Sequence, residues 1–173
     1  MPSTREIRRR IKSVKNTAQI TKAMQMVAAS KMRKAQNAAL SSSHYAKLLH
    51  SMLATLGDRA QPDAHPLLHT PNSDRQLILL FSTDKGLCGP LNSNLFREAI
   101  QFNPSTTDFV ASGRKGVQFL ARLGRNLLAD FSFPDSPSFL QVKGMSKFCI
   151  ELFLDEKVAS VSILYPKFIN TLS

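Results

Sequence analysis

Two short stretches carry residue types that could do chemistry. Asp84-Lys85-Gly86-Leu87-Cys88-Gly89-Pro90-Leu91-Asn92 puts a thiol close to a lysine between two glycines. A neighbouring cation favours the thiolate, the nucleophilic form of cysteine. Gly113-Arg114-Lys115-Gly116 combines two glycines with two cations, and such a turn could cradle an anion. Neither stretch meets a stricter pattern: G-x-G-x-x-G and G-x-x-x-x-G-K-[ST] are both missing. Pro90 also removes one backbone N–H from the first turn. The plainer reading of Cys88 is a small residue packing a tight turn. No histidine lies within a few residues of Cys88 or Cys149, and no Ser/His/Asp set is recognisable. The two cysteines lack C-x-x-C spacing, which fits a reducing compartment and gives no metal site. His65 and His69 are four apart, but Pro66 keeps a regular helix from placing them on one face. The expectation is no catalytic residue, no cofactor and no metal.

The elements that would position these turns follow Gln76. Leu77-Ile78-Leu79-Leu80-Phe81 is a continuous apolar run, as expected of a strand covered on both faces. The turn Gly86 to Pro90 leads to a helix whose inner face is Leu95, Phe96, Ala99 and Ile100. Phe109-Val110-Ala111 reads as a second strand, and Gly113 turns it into a helix carrying Val117, Leu120 and Ala121. Leu127-Leu128-Ala129 reads as a third strand. Past Pro134 and Pro137 comes a helix with Met145, Phe148, Cys149 and Leu152 inside, then a fourth strand from Val158 to Tyr165. Repeated βα units imply a mainly parallel, Rossmann-like α/β sheet over residues 76–173. Residues 58–75 hold Pro62, Pro66 and Pro71 among polar neighbours and read as a linker loop.

Residues 1–57 are of another kind. From Thr4 to Leu56 there is no glycine and no proline. Ser3-Thr4-Arg5-Glu6 has the S-x-x-E form of a capping box, and Gly57 stands where a left-handed residue would end a helix. At about 1.5 Å per residue such a helix would be roughly 80 Å long. Ile7, Ile11, Val14, Ala18, Thr21, Ala28, Met32, Ala35 and Ala39 recur at 4-3-4-3 spacing with Gln25 as the polar interruption, and Ala46, Leu49, Leu53 and Leu56 continue the series. This is a coiled-coil seam with an alanine-rich middle that lets a partner helix come close. Ile20, Met24 and Val27 form a second apolar set about 180° or more around the wheel from Ile7, Ile11 and Val14. Between Ala23 and Ala29 the helix is nearly apolar all round, which marks an enclosed segment. Met24, Met26 and Met32 would give it an adaptable lining.

Charge gathers on the same helix. The chain carries net +11, and through Gly57 it has eleven basic residues against the single acid Glu6. Arg8, Lys12, Lys15, Lys22 and Arg33 flank the seam. Such asymmetry suggests an acidic partner surface or a polyanion, although a charge run is often only a solvated face. Nucleic-acid binding is the first alternative, since a basic helix suits phosphate contacts. Against it, the helix has one aromatic residue, Tyr45, and shares its basic residues with a sustained seam. The seam is too weakly hydrophobic for a membrane-surface helix. No run of about 20 apolar residues exists to span a bilayer, and no apolar signal core opens the chain.

Together these stretches resemble the γ subunit of the F1 sector of F-type ATP synthases. The similarity is carried by Arg5-Glu6-Ile7-Arg8-Arg9-Arg10-Ile11-Lys12-Ser13-Val14-Lys15-Asn16-Thr17, by Gln19-Ile20-Thr21-Lys22-Ala23-Met24 and by Met26-Val27-Ala28-Ala29-Ser30-Lys31. A second block is Asp84-Lys85-Gly86-Leu87-Cys88-Gly89 with Leu91-Asn92, and a third is Gly113-Arg114-Lys115-Gly116. Tyr165 with Phe168 is similar to the family's later strand. The resemblance implies a non-catalytic rotor shaft: two antiparallel helices inside a ring of α and β subunits, with the α/β domain at the foot against the ε subunit and the membrane c-ring. It implies peripheral attachment to the cytoplasmic face of a bacterial inner membrane, or the organellar equivalent, through the complex alone. Residues 24–34 are expected to meet the ring, with Ile20, Met24, Met26, Val27, Lys31, Arg33 and Lys34 as the interface. Asp84, Lys85, Gly86, Leu87, Cys88, Gly89 and Asn92 form the family's turn. Pro90 stands where the family usually has a glycine. The family's long C-terminal helix has no counterpart after Tyr165, so the seam's mate is expected from a separate chain or is lost by truncation, and a truncated rotor fragment without function is a further alternative.

Overall fold

The computed structural model describes residues 3–57, 61 and 65–168. The chain divides into two compact units, Met1–Arg59 and Ala60–Ser173. The first is a single helix, α1 (Thr4–Gly57), of 54 residues. Its start is capped by Ser3, whose hydroxyl accepts from the Arg5 N–H at 3.3 Å. The Ser3 carbonyl accepts from the N–H groups of Glu6 and Ile7. Among the described residues the serine half of the expected capping box is therefore present, with Arg5 rather than Glu6 as the donor to the hydroxyl. Gly57 is the last residue of the helix rather than the one after it. The interior of α1 has no residue that breaks the ladder, and Thr17, Thr21, Ser42 and Thr55 each donate their hydroxyl to the carbonyl four residues back.

The second unit alternates strands and helices: β1 (Gln76–Phe81), α2 (Leu91–Gln101), β2 (Thr107–Ser112), α3 (Arg114–Arg122), β3 (Asn126–Phe131), α4 (Phe139–Leu154) and β4 (Ser160–Leu164). All strand pairs are parallel, in the order β3-β2-β1-β4. The expected parallel α/β sheet is what forms. Its core splits by the two-residue period of β1. Ile78 and Leu80 pack with Leu95, Ala99, Phe109, Ala111 and Leu120 on the face of α2 and α3. Leu77 and Leu79 pack with Val110, Met145, Cys149 and Val158 on the face of α4. A strand buried on both faces reads as an unbroken apolar run for this reason.

Several sequence expectations shift in detail. Ile100 is 51 % exposed, and Ala121 is exposed too; the inner stripes narrow to Leu95 with Ala99 and to Gly116 with Leu120. Phe96 and Phe119 stack at 4.1 Å and close the gap between α2 and α3 instead. The register of β3 slips between Phe109 and Val110, so that Leu128 is bypassed. This is a bulge, a common way for an edge strand to twist away from further pairing. β4 is shorter than the apolar run suggests: Val158 is buried before it, while Tyr165 and Phe168 lie beyond it without regular structure. α4 starts with an unforeseen cap, in which Gln141 Oε1 accepts from both the N–H (2.8 Å) and the hydroxyl (3.2 Å) of Ser138.

Candidate functional site

The residues singled out for chemistry and those singled out for contact come out differently. In the β1–α2 turn, Asn92 near the start of α2 ties the loop together. Its Nδ2 donates to Thr83 Oγ1 at 2.7 Å and to Cys88 Sγ at 3.3 Å, and its Oδ1 accepts from the Thr83 N–H at 3.4 Å. Cys88 is thus a hydrogen-bond acceptor in a tight turn, as the plainer reading has it. Leu87 and Gly89 both take φ of 61°, the left-handed region where glycine is at ease and leucine is not. Leu87 is fully exposed. Pro90 is the residue before the first turn of α2, and its carbonyl accepts from the Asn94 N–H at 2.8 Å. The turn survives the proline because that position needs a carbonyl and no N–H.

The second turn is not an anion cradle. Gly113 has φ of 99°, and a Cβ there would stand 2.2 Å from the Ser82 carbonyl oxygen. A Cβ on Gly116 would stand 2.7 Å from Ser82 Oγ. Both glycines are present because α3 lies directly on β1. The free N–H groups at the start of α3 already have protein partners. Arg114 N–H donates to Asp84 Oδ1 (3.0 Å), Lys115 N–H to the Thr83 carbonyl (3.1 Å) and Gly116 N–H to Ser82 Oγ (2.7 Å). Helix N-termini attract anions through such unsatisfied groups, and Asp84 supplies the negative charge internally. The two motifs therefore form one structure, with the first turn capping the helix of the second.

A polar cluster unannounced by any motif lies at the other end of the sheet. Asp108, buried at the start of β2, accepts from Arg75 through both carboxylate oxygens, and from Asn126 Nδ2 at 2.5 Å. The hydrogen bonds from Arg75 hold the Asp108 carboxyl below its ordinary range. Cys149 is buried on the inner face of α4, and burial alone pushes its thiol upward, away from the reactive form. His65 accepts from the Leu67 N–H in a 3-10 turn, Pro66–Leu68. His69 lies 3.6 Å from Glu156. No cluster of potential metal ligands is found among the described residues. No described helix is long and apolar enough to cross a membrane.

On α1 the geometry is that of a contact surface. Ile20, Met24, Val27, Lys31 and Lys34 follow one another at 4-3-4-3 spacing, so they share a stripe, while Met26 and Arg33, seven apart, share a neighbouring line. The apolar members are strongly exposed, Met24 at 66 %. The seam is exposed as well. Ile7, Ile11, Val14, Met32, Leu49, Leu53 and Leu56 are between 40 % and 65 % accessible. Shallow grooves run along it, lined by Ile7, Arg10, Ile11 and Val14 and, further on, by Ala18, Thr21 and Gln25. The helix thus offers two apolar faces.

The profile of the ATP synthase family matches residues 3–173. The chain is 52% identical over 172 residues to the ATP synthase gamma chain of Opitutus terrae, covering 99% of this chain and 58% of that one. It is 45% identical to the ATP synthase gamma chain of Methylacidiphilum infernorum, covering 99% of this chain and 60% of the relative. It thus spans about three-fifths of the length of the curated relatives it matches. Among solved structures, the rotor of the Euglena gracilis mitochondrial ATP synthase superposes with a TM-score of 0.60 at 17% identity, over 96% of this chain and 58% of that one. That likeness speaks for the fold. On the family match over residues 3–173, the chain belongs to the ATP synthase gamma-chain family.

Proposed function

We propose that this chain serves in the central stalk of an F-type ATP synthase, transmitting rotation between an ion-driven membrane ring and catalytic α and β subunits while catalysing nothing itself. The observation that carries this reading is α1: 54 residues with two exposed apolar faces and one acid among its charges. A rod that bears torque needs a mate along its length, and a rod that turns in a socket needs a surface that slides. The 4-3 seam supplies the first. The stripe of Ile20, Met24 and Val27, with Met26 beside it, supplies the second, because methionine side chains repack at little cost. Lys31, Arg33 and Lys34 then face acidic segments of the surrounding subunits.

In this reading the α/β unit is the foot, meeting an ε subunit and the c-ring, and the turn from Asp84 to Asn92 keeps its shape as part of that foot. The seam's mate is a further helix, in the same polypeptide or a separate one. Membrane attachment is peripheral and comes only through the complex; bacterial relatives support the cytoplasmic face of the inner membrane. Nucleic acid is not a partner. The test is reconstitution with α, β and ε subunits and vesicles bearing the ring, followed by ATP-driven ion pumping. The 173-residue chain by itself is expected to give poor coupling, improved by a long helix with a matching seam supplied in trans. Inhibitor-sensitive pumping at full-length rates from this chain without that helix would overturn the role given to the seam. No pumping even with the helix would overturn the rotor reading.

A further inference from the structure

All four strands start at one edge of the sheet, and the chain arriving from α1 enters there at the start of β1, between β2 and β4. Two backbone hydrogen bonds hold this entry. The Arg75 carbonyl accepts from the Ala159 N–H, just before β4, at 2.6 Å, and the Gln76 N–H donates to the Thr106 carbonyl, just before β2, at 2.9 Å. On the β4 side Ser73 adds a third, its hydroxyl donating to the Lys157 carbonyl at 3.2 Å. On the β2 side the addition is larger. Arg75 donates through Nε (2.7 Å) and Nη2 to the two carboxylate oxygens of Asp108, and through Nη1 to the Ser105 carbonyl at 3.0 Å. Asp108 also accepts from Nδ2 of Asn126, the first residue of β3, at 2.5 Å. One side chain at the entry to β1 thus ties in β2 directly and β3 through a single carboxylate.

Position and chemistry decide what this adds. A strand pulled from one end loses its ladder bonds in turn, beginning at the pulled end, so resistance depends on what breaks first. A bidentate arginine–carboxylate pair is among the stronger hydrogen-bonded contacts in proteins. The Asp108 side chain is only 5 % exposed, so water competes poorly for it. The rigid guanidinium fork grips β2 and the turn before it together, so its bonds must break nearly together. Lysine carries the same charge on one nitrogen and cannot span Asp108 and Ser105 in this way. On the β4 side the side-chain links are the Ser73 hydroxyl and, exposed and 3.6 Å apart, His69 with Glu156. The fastening is one-sided.

We propose that Arg75 is a mechanical clamp, fastening the entry of β1 to β2 and β3 so that tension arriving along the chain from α1 cannot draw β1 out of the sheet. The clamp is a property of the α/β unit. Only the source of its load, torque in a stalk, rests on the rotor reading, so a pulling experiment on the chain tests the clamp whether or not that reading holds.

Single-molecule pulling on the 173-residue chain is done in two directions. One handle is fixed at the N-terminus. The other is either a short peptide inserted after Ser136, an exposed loop residue beyond β3, or a tag at the C-terminus, beyond β4. The first pair stretches the chain across β1, β2 and β3, and the second across β1 and β4. α1 lies in both paths, so its own extension cancels. Forced unfolding reads the unfolding rate. Arg75→Lys should speed unfolding at a fixed force in both directions. The increase with the Ser136 handle should exceed the other by roughly ten-fold, the loss of one hydrogen bond to a charged group. Equal increases would reduce Arg75 to general stability and overturn the clamp, as would no increase with the Ser136 handle. If Arg75→Lys fails to fold, Asn126→Ala, which cuts only the relay to β3, should show the same bias at about a few-fold, and equal increases there would overturn it.

Discussion

The two units of this chain use similar apolar residues to opposite ends. In the α/β unit Leu77, Ile78, Leu80, Phe109, Val110 and Leu120 are wholly buried. On α1, Ile11, Val14, Ile20, Met24, Val27 and Leu53 are each more than half exposed. Apart from Leu120 on α3, the first set lies on the neighbouring strands β1 and β2, whose successive residues face helices on opposite sides of the sheet. The second lies on the faces of a single long helix, at spacings of three and four residues. Burial of apolar area is the main favourable term in folding, so the α/β unit holds its own core, whereas most of what α1 can contribute needs a partner helix. A lone helix is marginal without tertiary packing.

That contrast can be broken in order of expected effect. Phe109→Ala removes a fully buried ring from the cluster that also holds Ile78 and Leu120, and should cost the α/β unit about 3–5 kcal/mol in denaturant unfolding. Gly113→Ala comes next. At φ of 99° with the Ser82 carbonyl in the way, it should cost on the order of 3 kcal/mol and lift α3 from β1, read as a lower melting temperature. A smaller loss follows acidification. The Asp108 carboxyl is held down by Arg75 and Asn126 in the folded state, so its contribution is complete above the ordinary carboxylate pKa. It disappears as pH falls through the depressed folded value. Asp108→Asn should lower the melting temperature by several degrees at neutral pH and flatten that acid limb. At the far end, Met24→Ala should change unfolding by less than about 0.5 kcal/mol while weakening association with α and β subunits. A loss of several kcal/mol there would mean that α1 is part of the fold's own core.

Legibility in the sequence followed the same division. The long helix and the parallel α/β sheet were readable because each rests on a repeated local period, and β1 shows both faces buried in its own five apolar residues. The strand order β3-β2-β1-β4 is not local, and nothing in the spacing of Leu77 and Val158 tells which strand neighbours which. Gly113 and Gly116 looked like a ligand turn because close approach to phosphate and close approach to a strand both require the missing Cβ. Only Ser82, more than thirty residues away, decides between them. Arg75 and Asp108 are likewise distant in sequence, and no motif links them. Ile100 and Ala121 fall on the inner side by periodicity and yet are exposed, because helical periodicity fixes the centre of a face better than its margins. For the contact set on α1 the structure shows exposed apolar side chains, and which surface covers them is not written in α1 itself.

The most direct measurement is hydrogen exchange on this chain, dilute and alone, and then with α and β subunits added. The account predicts that amides of β1 and β2 are protected in both states, while those of α1 exchange fast alone and gain protection over residues 20–34 on addition. Equal protection of α1 and β1 in the dilute chain, or no gain over 20–34 with the subunits present, would contradict it.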